Sequence, residues 1–495
     1  MNKLDDYRKK IDVVDKKIMS LLEERLTIVD DVLNYKKNND IAIYDNNRED
    51  RILANVIENS ELSNQEDLLD MYRYLMETSK RRQARALNPT NFINRKFDGV
   101  LNPDAVFATL KRAKDDQFPD KVVNATVGSL IGEDGKLVAF KSVYDIYSNL
   151  DYKDYASYAS GMQGNPDFLA AVAKWILPQG YAGYHRVFAT PGGSGSLSLT
   201  LDSVTNIGET IIIPDLAWGN YNVMAKLRNL KIANFAMFDD NDSFNVAGLK
   251  ETIKEVGKYQ KRIVIIINDP VHNPSGYSMS QAMWQEIIDF VGTLANDVVI
   301  LNDIAYLDYC ADKKSGRAYL HKFAELADNT TVVLAASCSK ALSMYGVRLG
   351  AAIVLGSKLA SDTMYNTFLT ISRGIWSSVN NGAMVAFSKI MSENQSEWLL
   401  EQESYVSLLK ERAEIILKEA KEVNLSLYPY HEGFFITMKL EQKYVTLVQE
   451  ALMREHIYVV AIKGGLRIAV CCLPKAKCYG LANSLKKAYE NIKNK

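Results

Sequence analysis

Ser337-Cys-Ser-Lys340-Ala-Leu-Ser-Met-Tyr-Gly-Val-Arg348-Leu-Gly350 decides the reading of this 495-residue chain. A lysine that follows small hydroxyl residues and precedes an arginine by eight positions suits one job. Its amine condenses with an aldehyde cofactor, while Ser337 and Arg348 hold that cofactor's phosphate. Upstream, Ala189-Thr-Pro-Gly-Gly-Ser-Gly-Ser196 has the glycine richness of a backbone nest for phosphate around Gly193 and Ser194, and opens into a helix from Ser196. Asp215-Leu-Ala-Trp-Gly-Asn-Tyr221 follows the apolar strand Thr210–Ile213 and places Trp218 to stack on a flat ring. Ile263–Ile267 reads as a buried parallel strand running into Asn268-Asp-Pro-Val-His-Asn-Pro-Ser-Gly276, which offers Asn273 to a phenolic oxygen. Val298–Leu301 is another such strand, and Asn302-Asp303-Ile-Ala-Tyr306 at its end offers Asp303 to a ring nitrogen and Tyr306 to the phenolic oxygen. Strand C-terminal ends are where open α/β sheets place ligands. The contacts together describe pyridoxal phosphate.

Taken singly, an Asn-Pro-Ser-Gly is a turn, a Gly-Gly-Ser-Gly a loop, and an aspartate after a strand a helix cap. Five such pieces in this order are not explained that way. They resemble the aspartate-aminotransferase group of fold-type-I pyridoxal-phosphate enzymes, from roughly Phe92 to the C-terminus. Val127-Gly128-Ser-Leu-Ile-Gly-Glu-Asp-Gly-Lys-Leu-Val138 resembles that group's substrate-covering loop. By the same resemblance, Tyr158 reaches the neighbouring subunit's cofactor phosphate, and Arg467, in Gly465-Leu-Arg-Ile-Ala469, clamps the substrate α-carboxylate. Arg373 falls where the group carries a dicarboxylate-selective arginine, contributed across a dimer. Two positions depart. The residues after Arg373 do not match the group's Tyr-Ser-Asn-Pro-Pro run, and Tyr221 stands where a histidine often supports the aspartate.

The residue types follow from the chemistry. A carboxylate at Asp303 keeps the ring nitrogen protonated, so the ring accepts electrons released when Cα loses its proton. Lys340, once released, is the base that moves that proton. Arginine suits carboxylates because its fork bonds both oxygens and stays charged.

The first ninety residues have another texture, charged, without glycine, and without proline before Pro89. Ile11, Val14, Ile18, Leu21, Leu22, Val29, Val32 and Leu33 follow the helical period, so Lys3 to Lys36 reads as one helix about 50 Å long. Such a helix needs partner helices or a second subunit to cover its stripe. Arg25 and Lys36 fall within roughly 20° of that stripe at about 100° per residue, and cations there need an anion, from a salt bridge or from a bound ligand. Arg8 lies roughly 100° off the stripe and serves another surface or the partner's site. Arg8-Lys-Lys-Ile11, Glu24-Arg25, Lys36, Asp45-Asn-Asn-Arg48-Glu49 and Ser79-Lys-Arg-Arg-Gln83 together resemble the all-helical chorismate mutases, over about Leu4 to Ala86. That resemblance gives Arg25 and the partner's Arg8 to the substrate carboxylates and Ser79 to the ring carboxylate. It sets Lys36 and Gln83 at the ether oxygen and Asp45, Arg48 and Glu49 around the hydroxyl end. The reaction is a rearrangement without a nucleophile, driven by confinement and by charge stabilisation at the breaking ether. The alternative is a helical arm that only dimerises or regulates the chain.

A net charge of −1 and a pI of about 6.6 give no argument for nucleic acid. Met1-Asn-Lys-Leu-Asp-Asp has no apolar core of a signal peptide, and no 18-residue apolar run marks a membrane span. Five scattered cysteines, only Cys471 and Cys472 adjacent, point to no metal or disulfide and to a reduced cytoplasm. The expectation is an all-α domain over 1–87, a linker and lead-in over 88–120, and an α/β fold-type-I transferase over 121–495. Within the last, 144–355 forms a large domain around a mostly parallel sheet, and 121–143 with 356–495 forms an α+β small domain. Function is expected to be bifunctional: chorismate to prephenate at the front, and at the rear transamination of an aromatic 2-oxo acid with glutamate or aspartate as donor, in a homodimer. Prephenate as acceptor, giving arogenate, is the alternative, and a lyase or decarboxylase on the same fold is a further reading.

Overall fold

The chain, seen here as a computed structural model, is described over residues 3–39, 46–61, 64–87 and 104–494. It falls into two compact units. One gathers the N-terminal helices with segments 206–209 and 226–231, and the other holds the remaining described residues.

The first unit is built on α1 (Lys3–Asn38), α2 (Asn46–Asn59) and α3 (Gln65–Leu87). With 36 residues, α1 is about 54 Å long, while α3 has 23. Leu33 is buried on α1, with Leu53, Val56, Leu69 and Met76 on the other two helices. Much of the α1 stripe outruns that cover. Ile11, Val14 and Leu21 are each more than half exposed in the single chain.

The second unit carries a seven-stranded sheet in the order β2-β8-β7-β6-β5-β3-β4 and a four-stranded sheet in the order β1-β10-β11-β9. The strands are β1 (Val123–Ala125), β2 (His185–Thr190), β3 (Thr210–Pro214), β4 (Lys231–Phe235), β5 (Arg262–Asn268) and β6 (Asp297–Asp303). They continue with β7 (Thr330–Ser337), β8 (Gly350–Leu355), β9 (Phe435–Lys439), β10 (Ile457–Ile462) and β11 (Gly465–Ala469). β3, β5, β6 and β7 pair in parallel, and β8 runs against both β7 and β2. The central strands are continuous apolar runs because helices cover both faces of a parallel sheet. Ile263, Ile265, Val332 and Leu334 have no solvent contact to within one per cent.

Three boundaries differ from the expectation. The helix α4 (Ala105–Lys114), inside the stretch read as linker and lead-in, packs on β10 and closes a small core of Ala113, Met453 and Tyr458. The helices Lys358–Ile375 and Asn381–Glu393, expected in the small domain, pack with the large one. Phe368 joins Phe188, Val333, Ala352 and Val354, and Phe387 stacks edge-on with Phe168. The helix after the phosphate nest starts at Gly192, four residues before Ser196. Gly192 has φ +73°, and a Cβ there would stand 2.6 Å from Arg348 Nη2, so the close approach requires glycine.

Candidate functional site

The C-terminal ends of β5, β6 and β7 and the first turn of the helix Gly192–Val204 converge on a cavity of about 380 Å³. Lys340, Asp303, Tyr306, Asn273, Ser337 and Arg348 line it, and Gly128, Gly193, Ser194, Trp218 and Arg467 complete the expected set that it gathers.

Lys340 follows β7 on a short helix capped by Ser337 Oγ, which accepts the Ser339 amide at 3.3 Å. Its amine donates to the Gly128 carbonyl and lies over the rings of Tyr345, Phe434 and Tyr306, 4.8, 5.6 and 5.8 Å from their centroids. Burial brings its pKa down to about 8, because an ammonium is poorly solvated among rings. A Cβ at Gly128 would stand 2.8 Å from Phe435 Cζ, so the loop approaches Lys340 only as glycine.

Asp303 ends β6 and is buried. Burial raises its pKa, and the Tyr221 hydroxyl, donating to Oδ2 at 2.7 Å, opposes that rise. Tyr221 is held far above its usual pKa by burial and so stays a donor. The tyrosine that departs from the family pattern therefore does the supporting job through its hydroxyl. Trp218 meets Tyr221 edge-on at 5.5 Å. Tyr306 is likewise raised by burial and keeps its proton.

Arg348 Nη1 donates to Ser339 Oγ at 3.0 Å and to the Tyr345 carbonyl at 2.8 Å. With Ser337, Ser194 and the amides of a 13-residue helix's first turn, it forms an anion cradle. Arg467 on β11 is 5% exposed. Nη2 donates to the Thr126 carbonyl at 2.6 Å and Nη1 to Asn273 Oδ1 at 3.4 Å, while Nε has no hydrogen-bond partner. Its guanidinium lies 4.4 Å over the Phe435 ring. An orphaned donor on a buried cation costs about 1–3 kcal/mol until an anion satisfies it, and a carboxylate fits that geometry.

Tyr158 and Arg373 do not line the cavity. Tyr158 is 88% exposed, and Arg373 is exposed on the helix Lys358–Ile375, donating to Ser377 Oγ at 2.5 Å. Sequence reading missed Asn268, Tyr345, Phe435, the α4 cap Asp104 and the α4 residue Phe107, all at the cavity. Asn268 Oδ1 accepts the Asn273 amide and its Nδ2 donates to the Asp303 carbonyl, both at 2.7 Å, tying two cofactor-facing loops together. Asn268 and Tyr345 stood inside quoted motifs, whereas the α4 pair carried no motif signal.

In the helical unit, Arg25 Nη1 donates to Ser79 Oγ at 2.6 Å, and Ser79 Oγ donates to the Leu75 carbonyl at 2.8 Å. Gln83 is buried one turn on, with Oε1 lacking a partner. Lys36 is half-buried, Arg48 is exposed at the start of α2, and Glu49 is buried with an oxygen 3.1 Å from Lys80. Asp45 lies outside the described residues. Arg8 is exposed beside Asp5, and its 17-residue separation from Arg25 is about 25 Å along the helix, so the two do not meet one small molecule within a chain.

Residues 121–485 match the aminotransferase class I and II family, and residues 7–84 match chorismate mutase type II. The chain is 21% identical over 359 residues to an aromatic-amino-acid aminotransferase of Paracoccus denitrificans, 70% of this chain and 89% of that one. It is 28% identical over 273 residues to a tyrosine aminotransferase of Rhizobium meliloti, 54% of this chain and 67% of that one. An aminotransferase from Anaerococcus prevotii superposes with a TM-score of 0.77 at 28% identity, covering 80% of this chain and 99% of that one. An aromatic-amino-acid aminotransferase from Burkholderia pseudomallei, solved covalently bound to pyridoxal phosphate, shares the fold with a TM-score of 0.65 at 21% identity, covering 80% and 100%. With pyridoxal phosphate as its cofactor, the chain belongs to the class I and II aminotransferases, and it carries a chorismate mutase type II domain fused in front.

Proposed function

We propose that the rear unit transaminates an aromatic 2-oxo acid with glutamate or aspartate as donor, and that the helices rearrange chorismate to prephenate. The observation that carries the first half is Arg467, a buried guanidinium with an orphaned Nε in the same cavity as Lys340 and Asp303. The cofactor, when bound, supplies the electron sink that makes the substrate Cα–H acidic. The protein supplies the rest. Lys340, its pKa near 8, offers a neutral amine to an aldehyde and later takes and returns the Cα proton. Asp303, steadied by Tyr221, would keep a proton on the ring nitrogen. Tyr306 and Asn273 would face the phenolic oxygen, Trp218 would cover the ring, and Ser194, Ser337 and Arg348 would hold the phosphate. Arg467 receives the α-carboxylate. Aromatic acceptors are favoured by the walls, since Trp218, Tyr306, Tyr345, Phe435 and Phe107 all border the cavity.

For the helices, Arg25 with Ser79, Lys36, Gln83 and Glu49 form one half of a site for a small dianion. The open α1 stripe and the position of Arg8 favour a homodimer in which the partner's Arg8 completes it. Prephenate is a second acceptor reading, because the fusion would then join consecutive steps. Supplying holoenzyme and L-glutamate with phenylpyruvate, 4-hydroxyphenylpyruvate, prephenate and 2-oxobutyrate in competition tests the assignment. Aromatic acceptors or prephenate should win, and preference for the short aliphatic acid would refute it.

A further inference from the structure

Arg412 is a fully buried cation far along the chain from every motif above, on the helix Gln395–Glu422. A charge so placed needs partners, and those it has lie on two segments that lead to the cavity, the loop that carries Gly128 and the stretch after Arg467. Nε and Nη2 donate to Glu133 Oε1 at 3.0 and 2.7 Å, Nη2 also to the Ile131 carbonyl at 2.8 Å, and Nη1 to the Cys471 carbonyl at 3.3 Å. Cys471 lies just past β11, which carries Arg467, and its carbonyl also accepts the Ile131 amide at 2.9 Å. Glu133 Oε2 accepts the Lys475 amide at 3.0 Å. One guanidinium thus joins the helix, the Val127–Val138 loop and the segment behind Arg467.

The same loop has inner attachments as well. Arg467 holds the Thr126 carbonyl, Lys340 holds the Gly128 carbonyl, and the Tyr345 hydroxyl accepts the Leu130 amide at 2.9 Å. The two donors among them, Arg467 and Lys340, are the groups that the proposed chemistry reassigns. Lys340 turns to the cofactor, and Arg467 to a substrate carboxylate. Gly128 then loses that hold on cofactor attachment, before the loop has to stay over the substrate.

We propose that Arg412 is a positioning residue, which with Glu133 keeps the Val127–Val138 loop seated against the cavity once Lys340 and Arg467 have been drawn to cofactor and substrate. The inference rests on the aminotransferase reading of that cavity. It predicts that loosening the outer anchor weakens substrate capture while sparing cofactor attachment and the mutase.

The test uses full-length holoenzyme carrying Glu133→Gln, Arg412→Lys or Arg412→Gln. Glu133 is 44% exposed in its side chain, so its amide should fold even if an Arg412 variant does not. KM for L-glutamate in the half-reaction should rise about tenfold in Glu133→Gln, the loss expected for a charge-assisted bond, with kcat changed far less. Arg412→Lys should fall between parent and Arg412→Gln. The lysine-bound cofactor band and chorismate rearrangement should match the parent. Hydrogen exchange gives a readout independent of turnover. In Lys340→Ala, which lacks the inner hold on Gly128, the Leu130 and Ile131 amides should stay protected, and adding Glu133→Gln should release them. Unchanged KM and unchanged exchange in Glu133→Gln would overturn the proposal. A parent protein that attaches the cofactor but accepts no amino group would remove the reading beneath it instead.

Discussion

The two sites of this chain are made in opposite ways. The cofactor cavity is assembled from the ends of buried strands, and its lysine, aspartate, asparagine and two arginines all come from one chain. The helical site is strung along an exposed rod. Arg25 and Ser79 meet at 2.6 Å, yet Arg8 sits roughly 25 Å away on the same helix, and the apolar stripe between them is open. A sheet core fixes side-chain directions by packing on both faces, so one chain suffices for most of the site. On the proposed reading of the helices, a second copy supplies the wall that the open α1 stripe lacks. The difference yields tests that separate the halves.

The largest expected effect is at Lys340. Lys340→Ala should abolish aminotransfer and the lysine-bound cofactor band, and leave chorismate rearrangement at the parental rate, because no residue is shared between the two sites. Spectra and both assays on one preparation check it. In the parent, cofactor attachment to the apo form should quicken as pH rises through about 8, since the neutral amine attacks and burial has lowered the Lys340 pKa to that range. Next comes Arg25→Ala or Lys36→Ala, each expected to slow the rearrangement about a hundredfold, roughly 3 kcal/mol of transition-state stabilisation, with aminotransfer intact. Parental rearrangement rates in both would make the helices a dimerisation arm. Tyr221→Phe should do less. It removes one hydrogen bond to a buried carboxylate, worth about 1.5–3 kcal/mol, and should slow the half-reaction at least tenfold while the cofactor still attaches. A rate unchanged in that variant would show that Asp303 needs no support. The smallest and most selective effect is at Arg373, which lies outside its own chain's cavity. If it reaches across a dimer, Arg373→Leu should lose activity with glutamate and aspartate and keep more with tyrosine and phenylalanine. Equal loss across the four donors would place it in a structural role.

Much of this contrast was legible in the sequence because parallel strands buried on both faces read as plain apolar runs. The motifs at the ends of β5, β6 and β7 then fall at one edge of the sheet. Asp303, Asn273 and Lys340 could be placed from that alone. The helix start at Gly192 was hidden because glycines argue against helix, and their reasons are tertiary or conformational: Gly192 has φ +73° and packs on Arg348 Nη2, and a Cβ at Gly193 would meet Ser337 Cβ at 3.3 Å. The helices Lys358–Ile375 and Asn381–Glu393 were set in the wrong layer because an apolar face shows that a helix is covered but not by which sheet. The contact of Tyr221 with Asp303, 82 residues apart, and the arrival of α4 at the cavity mouth follow from tertiary packing and left no local pattern. In the helical unit the periodicity of α1 was plain, whereas what covers its stripe is not encoded in any single stretch.

The claim that one chain supplies both Lys340 and Asp303 to a cavity, whereas two chains share a mutase site, is tested most directly by mixing variants. Chains carrying Arg8→Ala and chains carrying Arg25→Ala are co-expressed, and in parallel so are Lys340→Ala and Asp303→Ala. Random pairing gives mixed dimers in which one mutase site regains both arginines, so rearrangement should return to about a quarter of the parental rate. No mixed dimer holds Lys340 and Asp303 in the same cavity, so aminotransfer should stay absent. Recovery of aminotransfer, or a mutase that stays as dead as either variant alone, would contradict the account.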